Sequence, residues 1–171
     1  NLKCGKPESF FDIFSGTGVT GQHFNKTTIK IISNDLLHSN YVALKAFLGS
    51  KCVDLKLIRG KIEVLNSIKA KKDNYFSLNF GGTYFSIENS RKIGAIREAI
   101  DQISDDQDEK YILLTSLLYA TDKVANTVGH YDAFRGTLDS IRPLSLLLPK
   151  IDVDSNENNE VYREDSIKDA M

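Results

Sequence analysis

With 171 residues, 41% of them hydrophobic and 26% charged, and a formal net charge of −1, the chain has the size and make-up of one globular domain with a sizeable core. No stretch approaches the roughly 20 apolar residues of a membrane span and no secretory pattern opens the chain, which argues against a membrane protein and for the cytoplasm. Cys4 and Cys52 form no ligand spacing with His23, His38 or His130, so neither a zinc site nor a disulfide framework is expected.

The first predicted element is a strand over 9–15, whose Phe10-Phe11-Asp12-Ile13-Phe14 run feeds Gly16 and Gly18 and then a helix over 18–25. A second strand over 28–34 ends on Asn34-Asp35, and a helix over 36–48 carries Leu37, Tyr41, Leu44 and Leu48 at helical spacing. Another helix is expected over about 54–70, followed by a loop from Asp73 to Tyr84. A helix then starts near Ser86 with Ile93, Ile96, Ile100 and Ile103 as its apolar stripe. Asp105-Asp106 begins a further helix that is apolar on more than one face between Tyr111 and Tyr119. Pro143 and Pro149 bracket a short apolar strand, 144–148; a polar turn at 156–159 precedes a strand that ends on Asp165. Two α/β parts, 1–72 and 151–171, thus flank a mainly helical block, 73–150.

The turn after the first strand reads as a nucleotide-cofactor pocket: a buried strand, a tight glycine turn, a helix, and a carboxylate at the tip of the next strand that can accept hydrogen bonds from a ribose. Two cofactors compete for it. Gly16-Thr17-Gly18-Val19-Thr20-Gly21 spells the dinucleotide pattern, which would make the chain a nicotinamide-dependent oxidoreductase. Asp12 lies four residues before the first glycine, where a cationic ligand is a better neighbour than pyrophosphate. S-adenosylmethionine carries an ammonium and a sulfonium, and Phe14 offers it an aromatic face. A plain strand-to-helix turn with solvated aspartates is the bland alternative. Asp12, Asp35 and Asp165 all stand at strand ends, where open parallel sheets bind ligands.

Charge is unevenly distributed. From Lys45 to Lys72 eight basic residues face only Asp54 and Glu63, whereas acidic residues collect at 101–109 and 152–165. Such a stretch suits a phosphate-bearing partner.

The ordered set Asp12-Ile13-Phe14-Ser15-Gly16-Thr17-Gly18, Ser33-Asn34-Asp35, Tyr84-Phe85-Ser86-Ile87-Glu88-Asn89 and the run from Ala120 through Asn126-Thr127-Val128-Gly129-His130-Tyr131 to Phe134 resembles Dam-like adenine-specific DNA methyltransferases, above all restriction-modification methylases. The resemblance extends from about Phe10 to Asp165. It implies a partial Rossmann-like S-adenosylmethionine-dependent methyltransferase fold of the α/β class, with residues 73–150 as a helical DNA-recognition insertion. It also implies that Asp12, Phe14, Gly16 and Gly18 form the cofactor turn, that Asp35 holds the ribose hydroxyls and that Asp165 lies beside the adenine of S-adenosylmethionine. Asn126, Gly129, His130 and Tyr131 would belong to a loop lying against double-stranded DNA, with Lys123 and Arg135 neutralising phosphates. A helix cap at Asn126 and Gly129, with Tyr131 and Phe134 in the core, is the structural alternative.

One departure from the family stands out. Its catalytic Asp-Pro-Pro-Tyr, whose aspartate and prolyl carbonyl accept from the flipped adenine's amino group, does not occur in the chain. The expectation is therefore a fragment without catalytic residues, inactive alone, completed by a longer polypeptide or a complementing chain and associated with a cognate restriction endonuclease. A non-catalytic DNA-binding subunit is the alternative from another class.

Overall fold

The computed structural model describes residues 7–25, 29–128, 133–136 and 142–166. The chain divides into two compact units, one drawn from Asn1–Asp54, Asp106–Ile112 and Pro149–Met171, the other from Leu55–Asp105 and Leu113–Leu148. The helix following residue 54 therefore groups with the second unit.

In the first unit, β1 (Ser9–Asp12), β2 (Lys30–Asn34) and β3 (Glu160–Tyr162) form a parallel sheet in the order β1-β2-β3. Phe10 pairs with Ile31, and Ser33 with Val161. Between β1 and β2 runs α1 (Val19–Phe24), and after β2 comes α2 (His38–Leu44), which continues as a single π turn, Lys45–Gly49. Ile31, Ala43, Leu44, Phe47 and Leu48 make the core, with Phe10, Ile29, Ile151 and Val161 packed against it. Gly21 sets how close α1 lies to this core: a Cβ there would meet Leu48 Cδ1 at 2.7 Å and Ile31 Cγ2 at 3.3 Å. Leu37, expected on the apolar face of the second helix, is 63% exposed. The Asp35 carboxylate accepts from Leu37 N (2.9 Å), which makes Leu37 the helix cap and delays the first helical residue to His38.

Three buried asparagines join distant parts of this unit. Asn25 Nδ2 donates to Asn156 Oδ1 (2.8 Å), and Asn159 Nδ2 donates to Asn25 Oδ1 (2.7 Å). Asn156 Nδ2 donates to Phe47 O (3.2 Å) and Ser50 O (2.9 Å), while Asn159 Oδ1 accepts from Ile31 N (2.9 Å). The polar turn read from the sequence at 156–159 is present, with Glu157 and Asn158 exposed, and its two ends, Asn156 and Asn159, are buried in this network. At the sheet surface Glu160 accepts from Lys30 and from Tyr162 Oη, and these partners hold its carboxyl below the usual range. Any stability this pairing contributes is present above the ordinary carboxylate value near 4.5 and is lost as pH falls through the lowered one.

The second unit contains α3 (Leu55–Ser67), α4 (Tyr75–Phe80) and α5 (Ile87–Ile103); α6 (Gln107–Val124) belongs to it from Leu113 onward. Ile93, Ile96 and Ile100 of α5 are buried as their spacing predicts, and Ser86 Oγ caps the helix by accepting from Asn89 N (3.2 Å). The stretch expected to be a loop, Asp73 to Tyr84, instead contains α4, stabilised by a reciprocal cap between Asn74 and Ser77. Six residues with Tyr75 77% and Leu78 74% exposed leave no apolar stripe to read. Residues 144–148, expected to be a strand, bury Leu144 and Leu146 in alternation but have no ladder partner among the described residues. Side chains take the ladder's place: Asn89 Oδ1 accepts from Leu144 N (3.0 Å), Asn66 bonds both N–H and C=O of Leu146 (2.8 and 3.0 Å), and Ser116 Oγ donates to Leu147 O (2.7 Å).

Replacing Asn156 with Ala strands Phe47 O, Ser50 O and the Asn25 amide away from water. Unfolding in urea is expected to show a loss of about 2–4 kcal/mol with an unchanged slope.

Candidate functional site

Because the sheet is parallel, the segments leaving β1, β2 and β3 emerge at one edge, and residues 13–18, 35–37 and 163–166 gather there. The glycine turn is closed from within: Ser15 N donates to Asn34 O (3.0 Å), Ser15 Oγ to Asp12 O (2.8 Å) and Gly18 N to Ser15 O (2.9 Å). Gly16 (φ 54°) and Gly18 (φ 81°) both sit in the left-handed region that side chains disfavour. Their surroundings differ. A Cβ on Gly16 would meet nothing within 4 Å, whereas one on Gly18 would meet Leu44 Cδ2 at 2.7 Å. Gly16 faces open space; Gly18 lets the turn pack onto α2.

Asp35 links the turn to the second strand end. Its Oδ2 accepts from Gly16 N (2.8 Å), and its Oδ1 from Leu37 N (2.9 Å) and Asn40 Nδ2 (3.1 Å). Next to it, Asn34 holds the third strand end. Its Oδ1 accepts from Glu164 N (2.9 Å), and its amide faces Ile13 O (3.2 Å), Glu164 O (3.1 Å) and Ser166 Oγ (2.7 Å). Asp165 lies half-buried within the segment so fixed. Asp12 ends β1, half-buried, and Phe14 projects from the turn at 75% exposure.

Of the six residues read as cofactor ligands, Asp12, Phe14, Gly16, Asp35 and Asp165 therefore come to one edge, while Gly18 is buried beneath it. Asp12, Asp35 and Asp165 thus lie at or just beyond the ends of three neighbouring strands, and the exposed Phe14 ring projects from the turn between the first strand and α1. A cavity of about 510 Å³ in this unit lies elsewhere, on the flank of α1 beside His23, Phe47 and Ile151. Sequence reading missed Asn34, Ser15 and Asn40. Their only signal was an amide or hydroxyl beside a residue already singled out.

In the second unit, Lys123 and Arg135 are exposed. Asn126 closes a loop: its N–H donates to Tyr84 O (2.7 Å), its amide to Thr83 O (3.0 Å) and Arg135 O (3.0 Å), and Arg135 N returns to Asn126 O (3.2 Å). Thr127 bridges to Phe134, whose ring meets that of Tyr84 at 5.2 Å between centroids. Asn126 thus directs its amide at loop backbone and not at the end of α6, and Phe134 is 46% exposed, so on these two residues the capping alternative, with Phe134 in the core, does not hold. Gly129, His130 and Tyr131 lie outside the described residues. Among the described residues, no three His, Cys, Asp or Glu side chains are grouped to hold a metal ion, and no helix is long and apolar enough to cross a membrane.

Residues 3–170 match the model of the D12 class N6 adenine-specific DNA methyltransferases. The chain belongs to this family. It is 33% identical over 167 residues to the type II methyltransferase M.NlaIII of Neisseria lactamica, an overlap of 92% of the chain and 50% of that protein. Modification methylase StsI of Streptococcus sanguinis is 30% identical, covering 95% of the chain and 27% of that protein. The type II methyltransferase M.FokI of Planomicrobium okeanokoites is 28% identical, covering 92% and 27%. The chain thus spans about half the length of the first of these relatives and about a quarter of the other two. No solved structure gives a significant match. The methyltransferase family match and the small parallel sheet with its helices agree on an α/β methyltransferase fold; neither the family nor these relatives support the oxidoreductase alternative.

Because Asn34 ties three strand ends, Asn34→Ala is expected to lower the unfolding free energy by about 2–3 kcal/mol. Asn40→Ala, which removes one half-exposed bond to Asp35, is expected to cost less than about 1 kcal/mol in the same urea titration.

Proposed function

We propose that this chain forms the S-adenosylmethionine site and part of the DNA-contacting surface of a site-specific adenine DNA methyltransferase of a restriction-modification system. The proposed fold around the site is Rossmann-like. The observation that carries this reading is the bond from Gly16 N to Asp35 Oδ2, which couples the glycine turn to the carboxylate at the tip of β2.

The residues fit such a cofactor. A carboxylate offers about four lone-pair positions, and three donors occupy three of those of Asp35, which leaves one position on Oδ2 for a first ribose hydroxyl. Two of the donors are backbone groups; Asn40, the longest at 3.1 Å, is the one a second ribose hydroxyl would displace. The open space over Gly16 lets a ligand approach the turn closely. Asp12 would face the cationic end of the ligand, Phe14 would cover an apolar part, and Asp165 would accept from the adenine amine. Bound there, S-adenosylmethionine supplies an electrophilic methyl group; the role of these residues is to hold and orient it. In the second unit Lys123 and Arg135 would contact DNA phosphates, Gly129, His130 and Tyr131 would lie against the duplex, and Asn126 would shape that loop. No residue described above is assigned to the chemistry at the adenine amino group.

Isothermal titration of the chain with S-adenosylmethionine tests the reading. Asp35→Ala is expected to weaken binding at least tenfold, the loss of about one charged hydrogen bond, when titrated well below its melting temperature, which the loss of the bonds from Gly16 N, Leu37 N and Asn40 lowers. Unchanged affinity removes the ribose role of Asp35, and preference for a nicotinamide dinucleotide overturns the cofactor.

A further inference from the structure

The basic stretch noted in the sequence finds a structural counterpart in the second unit. Where α3 ends and α5 begins there is a groove of about 740 Å³, and Lys69, Lys71, Arg91 and Lys92 line it. The only carboxylate in its lining is Glu88.

These cations are not equivalent. Arg91 is engaged by Asp73 through Nε (2.8 Å) and Nη2 (3.2 Å), so this pair is nearly neutral. Lys92 Nζ donates to Asn66 O (3.0 Å) and Leu144 O (3.2 Å). That fixes its position and leaves one of its three N–H groups for another acceptor. Lys69 and Lys71 are exposed and have no ion pair or hydrogen bond with a described residue. The groove therefore holds one anchored and two exposed ammonium groups against the carboxylate of Glu88. Ile68 and the 44% exposed Ile87 add aliphatic surface to its wall. Alternating cationic and aliphatic surface matches a sugar–phosphate strand, in which charged phosphates alternate with apolar sugar faces, better than it matches an isolated anion.

We propose that this groove grips the DNA backbone without reading sequence, through Lys69, Lys71 and Lys92. None of these residues is in the cofactor turn or the 123–135 segment. The proposal rests on the DNA-methyltransferase reading and extends it with a second contact surface. Lys69 and Lys71 bind phosphate directly, while Lys92 supplies a fixed charge at the wall.

The test is fluorescence anisotropy of the full chain with a labelled duplex of arbitrary sequence over a range of NaCl concentrations. Each phosphate-bound lysine contributes about 0.9 to the slope of log affinity against log salt. Lys69→Gln is expected to lower the slope by about 0.9, and the K69Q/K71Q double variant by about 1.8. The double variant should bind at least tenfold more weakly at low salt, with its melting temperature and S-adenosylmethionine affinity unchanged. If the parent binds DNA in a salt-dependent way and the double variant keeps the same slope and affinity, the groove proposal is overturned while the methyltransferase reading stands. A parent chain that shows no DNA binding at low salt also overturns the groove proposal, while its affinity for S-adenosylmethionine tests the cofactor reading separately.

Discussion

The side chain of Asn34 is the fixed point of the first unit. It stands at the end of the central strand, where its amide and carbonyl reach the exits of both neighbouring strands. Parallel strands receive no help from a hairpin in aligning their ends, since each is joined to the next by a long crossover. A single buried amide supplies that alignment here, and Asp35 inherits its position from it. The three-asparagine knot does comparable work for the helices, joining the end of α1 to the close of the π turn and to the entry of β3. A small apolar core is thus given its register by polar groups, each useful because its partners are satisfied.

Much of this was legible in the sequence where a period or a cap is strong. The Ile93–Ile96–Ile100 stripe foretold α5, whose start was placed near Ser86, and Asn34-Asp35 marked the end of β2. The failures have physical causes. The six-residue α4 depends on the Asn74–Ser77 cap and packs Phe76 against Phe85, a contact 9 positions away that no short period encodes. Residues 144–148 have the alternation of a strand, yet their partners are amides of Asn66 and Asn89, and alternation reports which face is buried rather than what satisfies the backbone. Leu37 fits the helical stripe but precedes the helix, because a neighbouring carboxylate competes for its N–H.

The glycine motif was legible as a turn but not as a division of labour. Gly16, Gly18 and Gly21 belong to one motif, yet one faces open space, one receives Leu44 and one receives Leu48 and Ile31. Spacing alone cannot separate a glycine that admits a ligand from one that admits a neighbouring helix. Asn126 shows the same ambiguity: an amide that suits a base edge also suits two backbone carbonyls of a loop.

The partition of the chain also orders its assembly in time. β1 and β2 are made early, but their third strand and two of the three knotted asparagines lie more than 100 residues later, so closing the first unit requires a long-range return of the chain. The second unit draws none of its residues from that final segment. On a ribosome it can consolidate while β1 and β2 still wait for β3, leaving an unpaired edge on β2 that must be kept from other chains until residue 160 emerges.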